Sequence, residues 1–141
     1  MDVHDKQIRS YNMSQIKAKD TKPEEIVRKY LFSKGFRYRK NVKKLPGTPD
    51  IVLKKYHTVI FVNGCFWHGH KGCKRFVWPK SNSEFWKNKI ETNVFRDKRN
   101  IEELEKLGWH ICVVWECSLK KCIAEETLKD LASEISAQLK Q

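Results

Sequence analysis

Nine consecutive residues, Cys65-Phe66-Trp67-His68-Gly69-His70-Lys71-Gly72-Cys73, carry two thiols and two imidazoles in a glycine-rich loop. Cys117 lies far along the chain, just past an apolar run that reads as a strand, where it can return to them. Zinc prefers four thiolate or imidazole ligands in a tetrahedron, usually two close in sequence and two from elsewhere. Cys65, His70, Cys73 and Cys117 are the expected set, with His68 competing for the place of His70. Such a site ties a loop to a distant strand end, which matters in a chain of 141 residues because small cores gain most from an added cross-link. Cysteine as a small buried hydrophobe suits Cys112, which alternates along an apolar strand, and Cys122. It suits Cys65 and Cys73 poorly, since glycines and histidines flank them.

A chain of this length fits a single domain, residues 1–141. Hydrophobic residues make up 40% and charged residues 33%, the latter spread among apolar segments, which argues against general disorder. No apolar run exceeds about five residues, too short for a transmembrane helix. The N-terminal Met1-Asp2-Val3-His4-Asp5-Lys6 lacks the apolar stretch of a signal peptide. The expectation is a soluble cytoplasmic protein with no membrane partner. The formal net charge is +12. Residues 1–70 hold 15 basic and 6 acidic side chains, whereas residues 71–141 hold 14 and 11. Lys34, Arg37, Arg39, Lys40, Lys43 and Lys44 follow one another with no acidic residue between them. That imbalance points to a polyanion, nucleic acid, as partner. The basic residues are not gathered on one amphipathic helix, which speaks against a membrane surface.

The order of elements predicts an α/β domain with a mixed central sheet flanked by helices. Thr21-Lys22-Pro23-Glu24 reads as a capping box with proline in the first turn. The helix it opens turns Ile26, Val27, Tyr30 and Leu31 inward and stops at Gly35. Strands are expected near Phe36–Arg39, Asp50–Leu53 and Thr58–Val62, the last two joined as a hairpin by Lys54-Lys55-Tyr56-His57. Ser81 to Glu84 resembles a second capping box, opening a long helix with Ile90, Val94, Ile101, Leu104 and Leu107 on one stripe. A strand over Trp109–Trp115 and a helix carrying Leu128, Leu131, Ile135 and Leu139 complete the chain.

Two further groups carry chemistry. Asp50 stands at the mouth of an apolar strand beside Val59-Ile60-Phe61-Val62, a way to hold a divalent ion against a phosphate. Asp97 falls on the apolar stripe of the long helix, where an unpaired carboxylate is costly; its neighbours Arg96 and Arg99 point to other faces. Phe66 and Trp67, with Met13 in the basic N-terminal arm, either anchor the loop in the core or enter a base stack.

Leu45-Pro46-Gly47-Thr48-Pro49-Asp50, Val59-Ile60-Phe61-Val62-Asn63-Gly64-Cys65-Phe66-Trp67-His68, Asn93-Val94-Phe95-Arg96-Asp97 and Val113-Val114-Trp115-Glu116-Cys117 together resemble the very-short-patch-repair (Vsr) DNA mismatch endonucleases. Val3-His4-Asp5 and Asn12-Met13 match as well, so the resemblance runs from about residue 2 to about residue 120. It implies a restriction-endonuclease-like core with a structural zinc (Zn2+) and a magnesium-dependent (Mg2+) nick in duplex DNA. The nick falls 5′ to the thymine of a T·G mismatch, the lesion left when 5-methylcytosine deaminates. It also implies a monomer with residues 1–20 as a DNA-contacting arm, working with MutL- and MutS-type mismatch-repair proteins and a repair DNA polymerase on the nucleoid.

Carried over position by position, Asp50 matches the metal-binding aspartate, and Glu24, Asp97 and His68 match supporting active-site positions. Cys65, His70, Cys73 and Cys117 match the zinc set, with one extra residue between His70 and Cys73. Met13, Phe66 and Trp67 match the residues that wedge into DNA. Asn63 departs from the pattern, standing where the best-known members place a catalytic histidine. Asp50 and a strand carbonyl near Val62 are then expected to hold magnesium, with His68 as general base, tuned by Glu24. Asn63 has no proton to lose near neutral pH, so it orients rather than abstracts. Two other readings are a restriction-type nuclease of the same fold and a zinc-stabilised DNA-binding module without catalysis.

Overall fold

The computed structural model describes residues 21–66, 68–70, 73 and 80–139. The expected N-terminal arm, with Met13, lies outside these residues, and so does Trp67. The first helix, α1 (Lys22–Ser33), begins at the capping box read from the sequence. Thr21 Oγ1 accepts from the Glu24 N–H, and the Thr21 N–H donates to Glu24 Oε2 at 3.2 Å. Gly35, at φ +91°, takes the chain out of the helix in a conformation that suits glycine.

The sheet follows as β1 (Arg39–Lys40), β2 (Ile51–Leu53) and β3 (Thr58–Asn63), and β4 (His110–Trp115) completes it in the order β1-β2-β3-β4. The β1–β2 and β2–β3 pairs are antiparallel, and β3–β4 is parallel over six rungs from Thr58↔His110 to Asn63↔Trp115. The β2–β3 hairpin forms as expected around a single 3-10 turn at Lys54–Tyr56. The first strand is shorter than the expected Phe36–Arg39 and lies further along the chain: only Arg39 and Lys40 pair with β2.

Parallel neighbours need a long crossover. Here it contains α2 (Ser83–Lys106), and α3 (Ala124–Ser136) closes the described chain. Side chains alternate across the sheet. Ile51, Leu53, Ile60, Val62, Cys112 and Val114 face Val27 and Leu31 of α1 and Leu128, Leu131 and Ile135 of α3. Val52 and Val59, with Phe61 and Ile111, face Leu104 of α2. Helices therefore cover both faces of a mixed sheet.

Two sequence expectations for α2 change. A capping box needs an extended N-cap residue, but Asn82 is the N-cap, lies in the left-handed region and makes no side-chain cap bond. The apolar stripe is also only partly buried: Ile90 and Leu104 are inside, whereas Val94 is 41% and Leu107 59% exposed. A helix of 24 residues is about 36 Å long, while six-residue strands reach only about 20 Å. The sheet is too short to cover the whole stripe.

The loop between β1 and β2 is what delivers Asp50. Its backbone bonds, Asn41 N–H to Asp50 O and Thr48 N–H to Leu45 O, are both 3.1 Å. Gly47 sits at φ +76°, and a Cβ there would lie 2.9 Å from Asn100 Nδ2 on α2. Gly47→Ala should therefore lose roughly 1–2 kcal/mol from the left-handed backbone alone, with the contact to Asn100 adding to it. A denaturant midpoint equal to the parent's would show that the loop is not seated against α2.

Candidate active site and cysteine–histidine cluster

Glu24 owes its position to the helix cap. The same carboxylate that bonds the Thr21 N–H faces Asp50 and lies 3.9 Å from Nη1 of Arg28, one turn along α1. Glu24 is 3% exposed and Arg28 6%. Asp50 precedes β2 by one residue, and its Oδ2 accepts the Val62 N–H at 2.7 Å. The side chain thus takes a bond in β3 just beyond the last residue pair of the β2–β3 ladder. Burial is the main force on the Asp50 carboxyl, and the adjacent Glu24 carboxyl works in the same direction. The Val62 N–H and the Arg28 charge oppose them, and the group is pushed up to about 8. Two facing carboxyls, one holding a proton, are oxygen donors suited to a hard divalent cation, which would relieve the crowding that keeps the proton on.

Across the same end of β3, His68 Nδ1 and Asp97 Oδ2 are 2.5 Å apart. Asp97 comes from α2, and the Gly64–His70 turn holds His68 opposite it through the His68 N–H to Gly64 O bond at 3.2 Å. Asp97 on the apolar stripe is therefore paired, with His68 rather than with an arginine. A carboxylate accepting the Nδ1 proton leaves Nε2 as the acceptor atom of the ring. Asn63, 8% exposed, lines a small cavity with Asp97, Phe61, Asn100, Ile101 and Val113.

Cys65, His70, Cys73 and Cys117 converge, their ligand atoms all within 4.8 Å of one another. The His70 N–H bonds Cys65 O at 2.9 Å and the Cys73 N–H bonds His70 O at 3.3 Å, turns that fold the loop back on itself. His70 Nδ1 is 3.5 Å from Cys117 Sγ. Of the two histidines in the loop, His70 joins the thiols and His68 joins Asp97. Burial, and then the thiols of Cys117 and Cys73, push Cys65 up to about 12. Three thiols and an imidazole at this separation are the donor set of a tetrahedral soft-metal site.

Several neighbours were not singled out from sequence. The Trp115 ring stacks on His70 at 4.0 Å and 3°, fixing the imidazole plane. Trp86 meets Phe66 edge-on at 5.6 Å, so Phe66 belongs to an aromatic group with Trp86 and Phe85. Arg28 had a local signal, since it lies four residues after Glu24 on one helix. The six basic residues from Lys34 to Lys44 are all exposed. Among the described residues, no helix is long and apolar enough to cross a membrane.

The sequence model of the family described as DNA mismatch endonuclease Vsr matches residues 1–75. The DNA mismatch endonuclease Vsr of Escherichia coli is 43% identical over 135 residues, which cover 94% of this chain and 86% of that protein. The chain belongs to the Vsr family. The Type II nicking enzyme V.NmeAIP of Neisseria meningitidis serogroup A is 56% identical over 128 residues, 90% of this chain and 91% of its own. The Type II nicking enzyme V.XorIIP of Xanthomonas oryzae pv. oryzae is 50% identical over 111 residues, 79% and 81% respectively. As a Vsr-family member the protein is a DNA-cleaving hydrolase with DNA as its partner, in keeping with its basic surface. The reading of the chain as a binding module without catalysis gives way.

The raised Asp50 carboxyl has a signature in stability. The group ionises at 3.8 when unperturbed and at about 8 in the fold. Between these values the unfolded chain has lost a proton that the folded chain keeps, so stability falls as pH rises. Below the lower value both states hold the proton and the full contribution is present. Asp50→Asn cannot ionise. With divalent ions removed, its stability relative to the parent should therefore increase from pH 5 to pH 8. Parallel melting curves for the two proteins across that range would show that Asp50 titrates like a surface carboxylate.

Proposed function

We propose that this protein is a magnesium-dependent mismatch endonuclease that nicks duplex DNA 5′ to the thymine of a T·G mismatch, opening very short patch repair. The observation that carries this reading is the buried, facing pair Asp50 and Glu24, at the same end of β3 as the His68–Asp97 pair. Asp50 and Glu24 would hold the magnesium, together with a strand carbonyl near Val62. When bound, the ion polarises the phosphate and makes water a better nucleophile.

The protein's own groups handle the proton. Asp97 fixes the His68 ring through Nδ1, and Nε2 takes the proton of the attacking water as its oxygen bonds phosphorus and the P–O bond to the leaving sugar oxygen breaks, that oxygen taking a proton from solvent. Asn63 orients without exchanging a proton. Zinc at Cys65, His70, Cys73 and Cys117 is structural, since four protein ligands leave no open position. Phe66, with Met13 and Trp67, wedges into the duplex, where an already poorly stacked mismatch costs less to open. The sheet serves as a restriction-endonuclease-like core of a single cytoplasmic domain, active as a monomer and coupled to MutL- and MutS-type proteins and a repair polymerase.

The Type II nicking enzymes among its relatives favour a second reading, a restriction-type nuclease of the same fold that cuts a specific sequence. One experiment separates the two: strand-specific cleavage of T·G, C·G and T·A versions of one duplex, with and without magnesium. Cleavage of the T·G duplex alone, and only with magnesium, is expected. Equal cutting of the C·G duplex would overturn the mismatch reading, and cutting in chelator would overturn the metal.

The division of labour predicts unequal losses. His68→Ala should lose ~100- to 10,000-fold in single-turnover rate, the usual worth of a general base, and Asn63→Ala distinctly less. Comparable rates in both variants would remove His68 from proton transfer. For the cysteine cluster, Cys117→Ser should release zinc and lower the melting temperature sharply, because structural zinc binding is itself folding free energy. A parent protein that purifies without zinc and melts normally would remove the structural metal.

A further inference from the structure

A second group of metal-ligating side chains, His110, Cys112 and Glu134, takes no part in the chemistry above. His110 and Cys112 are two apart on β4 and so project from the same face of the sheet, towards α3. Glu134, near the C-terminal end of α3, meets them there. Cys112 Sγ is 3.2 Å from Glu134 Oε2, and His110 Nε2 is 3.4 Å from Glu134 Oε1. All three donor atoms lie within 4.8 Å of one another.

A hydrogen-bonded triad accounts for the thiol, which donates to Glu134. It does not account for the imidazole. Nε2 of His110 is buried and, among the described residues, has no hydrogen-bond partner; its approach to Glu134 has the distance of an ion pair without hydrogen-bond alignment. A buried nitrogen with its lone pair or proton unmet is costly, and a metal ion is one partner that satisfies all three groups together.

The separations also fit. Zinc binds N and O at about 2.0–2.2 Å and S at about 2.3 Å, so tetrahedral neighbours stand about 3.4–3.6 Å apart. The distances from Cys112 Sγ to Glu134 Oε2 (3.2 Å) and from His110 Nε2 to Glu134 Oε1 (3.4 Å) are close to that edge length. We propose that His110 Nε2, Cys112 Sγ and the Glu134 carboxylate form a second metal site, selective for zinc-like borderline ions over magnesium or calcium. The thiol gives up its proton to solvent on binding. Three protein ligands leave a fourth position open, and a groove of about 430 Å³ lined by Cys112, Ser118, Thr127, Asp130 and Glu134 provides the path in.

The site lies further down the sheet from the nicking centre. Thr58 and Ile60, the rung partners of His110 and Cys112, are four and two residues from Val62 along β3, about 13 Å and about 7 Å at the rise of a strand. An ion here joins α3 to β4 and acts on stability rather than on cleavage.

The test is a cobalt titration of the full-length protein, following cobalt–thiolate absorption and counting equivalents bound, with melting temperature read in parallel. The parent should bind one equivalent more than His110→Gln or Cys112→Ser. Glu134→Gln, which alters a half-exposed side chain and spares the core, should bind that equivalent at least about tenfold more weakly. Filling the extra site should raise the parent's melting temperature and leave that of His110→Gln unchanged. Equal equivalents in parent and variants, or a melting shift from the equivalent beyond that of the Cys65 cluster that persists in all three, would overturn the site in favour of a hydrogen-bonded triad. Because each comparison is a difference between parent and variant, failure of the Cys65 cluster to bind metal, or absence of mismatch nicking, leaves this result readable.

Discussion

The parallel ladder between β3 and β4 is the constraint on which the functional end depends. An antiparallel partner would carry the chain beyond Trp115 to the opposite end of the sheet from Asn63. Parallel pairing sets Asn63 beside Trp115, so the segments leaving the two strands emerge together. Cys65 and Cys117 are therefore close before any metal acts on them, and Trp115 is at hand to stack on His70. The cost is a long crossover between residues distant in sequence. That crossover is put to use, because α2 brings Asp97 back to His68.

The same end of the sheet concentrates groups that a purely stable domain would replace with leucine or valine. Glu24, Arg28 and Asn63 are the buried polar residues found there, and Asp50 is driven towards its neutral form beside them. Removing one member of such a group leaves its partner uncompensated, which is worse than removing the group whole. Elsewhere the interior is mainly apolar, with Thr58 and the His110 Nε2 atom as exceptions, and the helices close over it in the ordinary way. Buried charge is thus gathered at this one end of the sheet.

Much of this was legible in the residues, and the failures have identifiable causes. The Thr21–Glu24 capping box was readable because its bonds are local, between residues three apart. Ser81–Glu84 follows the same pattern, but the helix starts from Asn82, which turns left-handed and makes no side-chain cap bond. Spacing left His68 and His70 in competition, since both lie in one loop; Asp97, supplied by a distant helix, distinguishes them. Cys112 read correctly as a core cysteine by alternation, yet alternation is blind to Glu134 arriving from across the sheet. Trp86 and Trp115 were missed for the same reason: an aromatic residue in a helix or strand looks like core until its ring partner is known.

Glu24 is held by two obligations of different kinds. One is architectural, because its oxygen closes the first turn of α1; the other is chemical, because its charge faces Asp50 and Arg28. Glutamine keeps the shape and the capping oxygen but not the charge. Position 24 therefore couples the start of α1 to the charge beside Asp50: a glutamine there would keep the turn closed while changing what the Asp50 carboxyl faces.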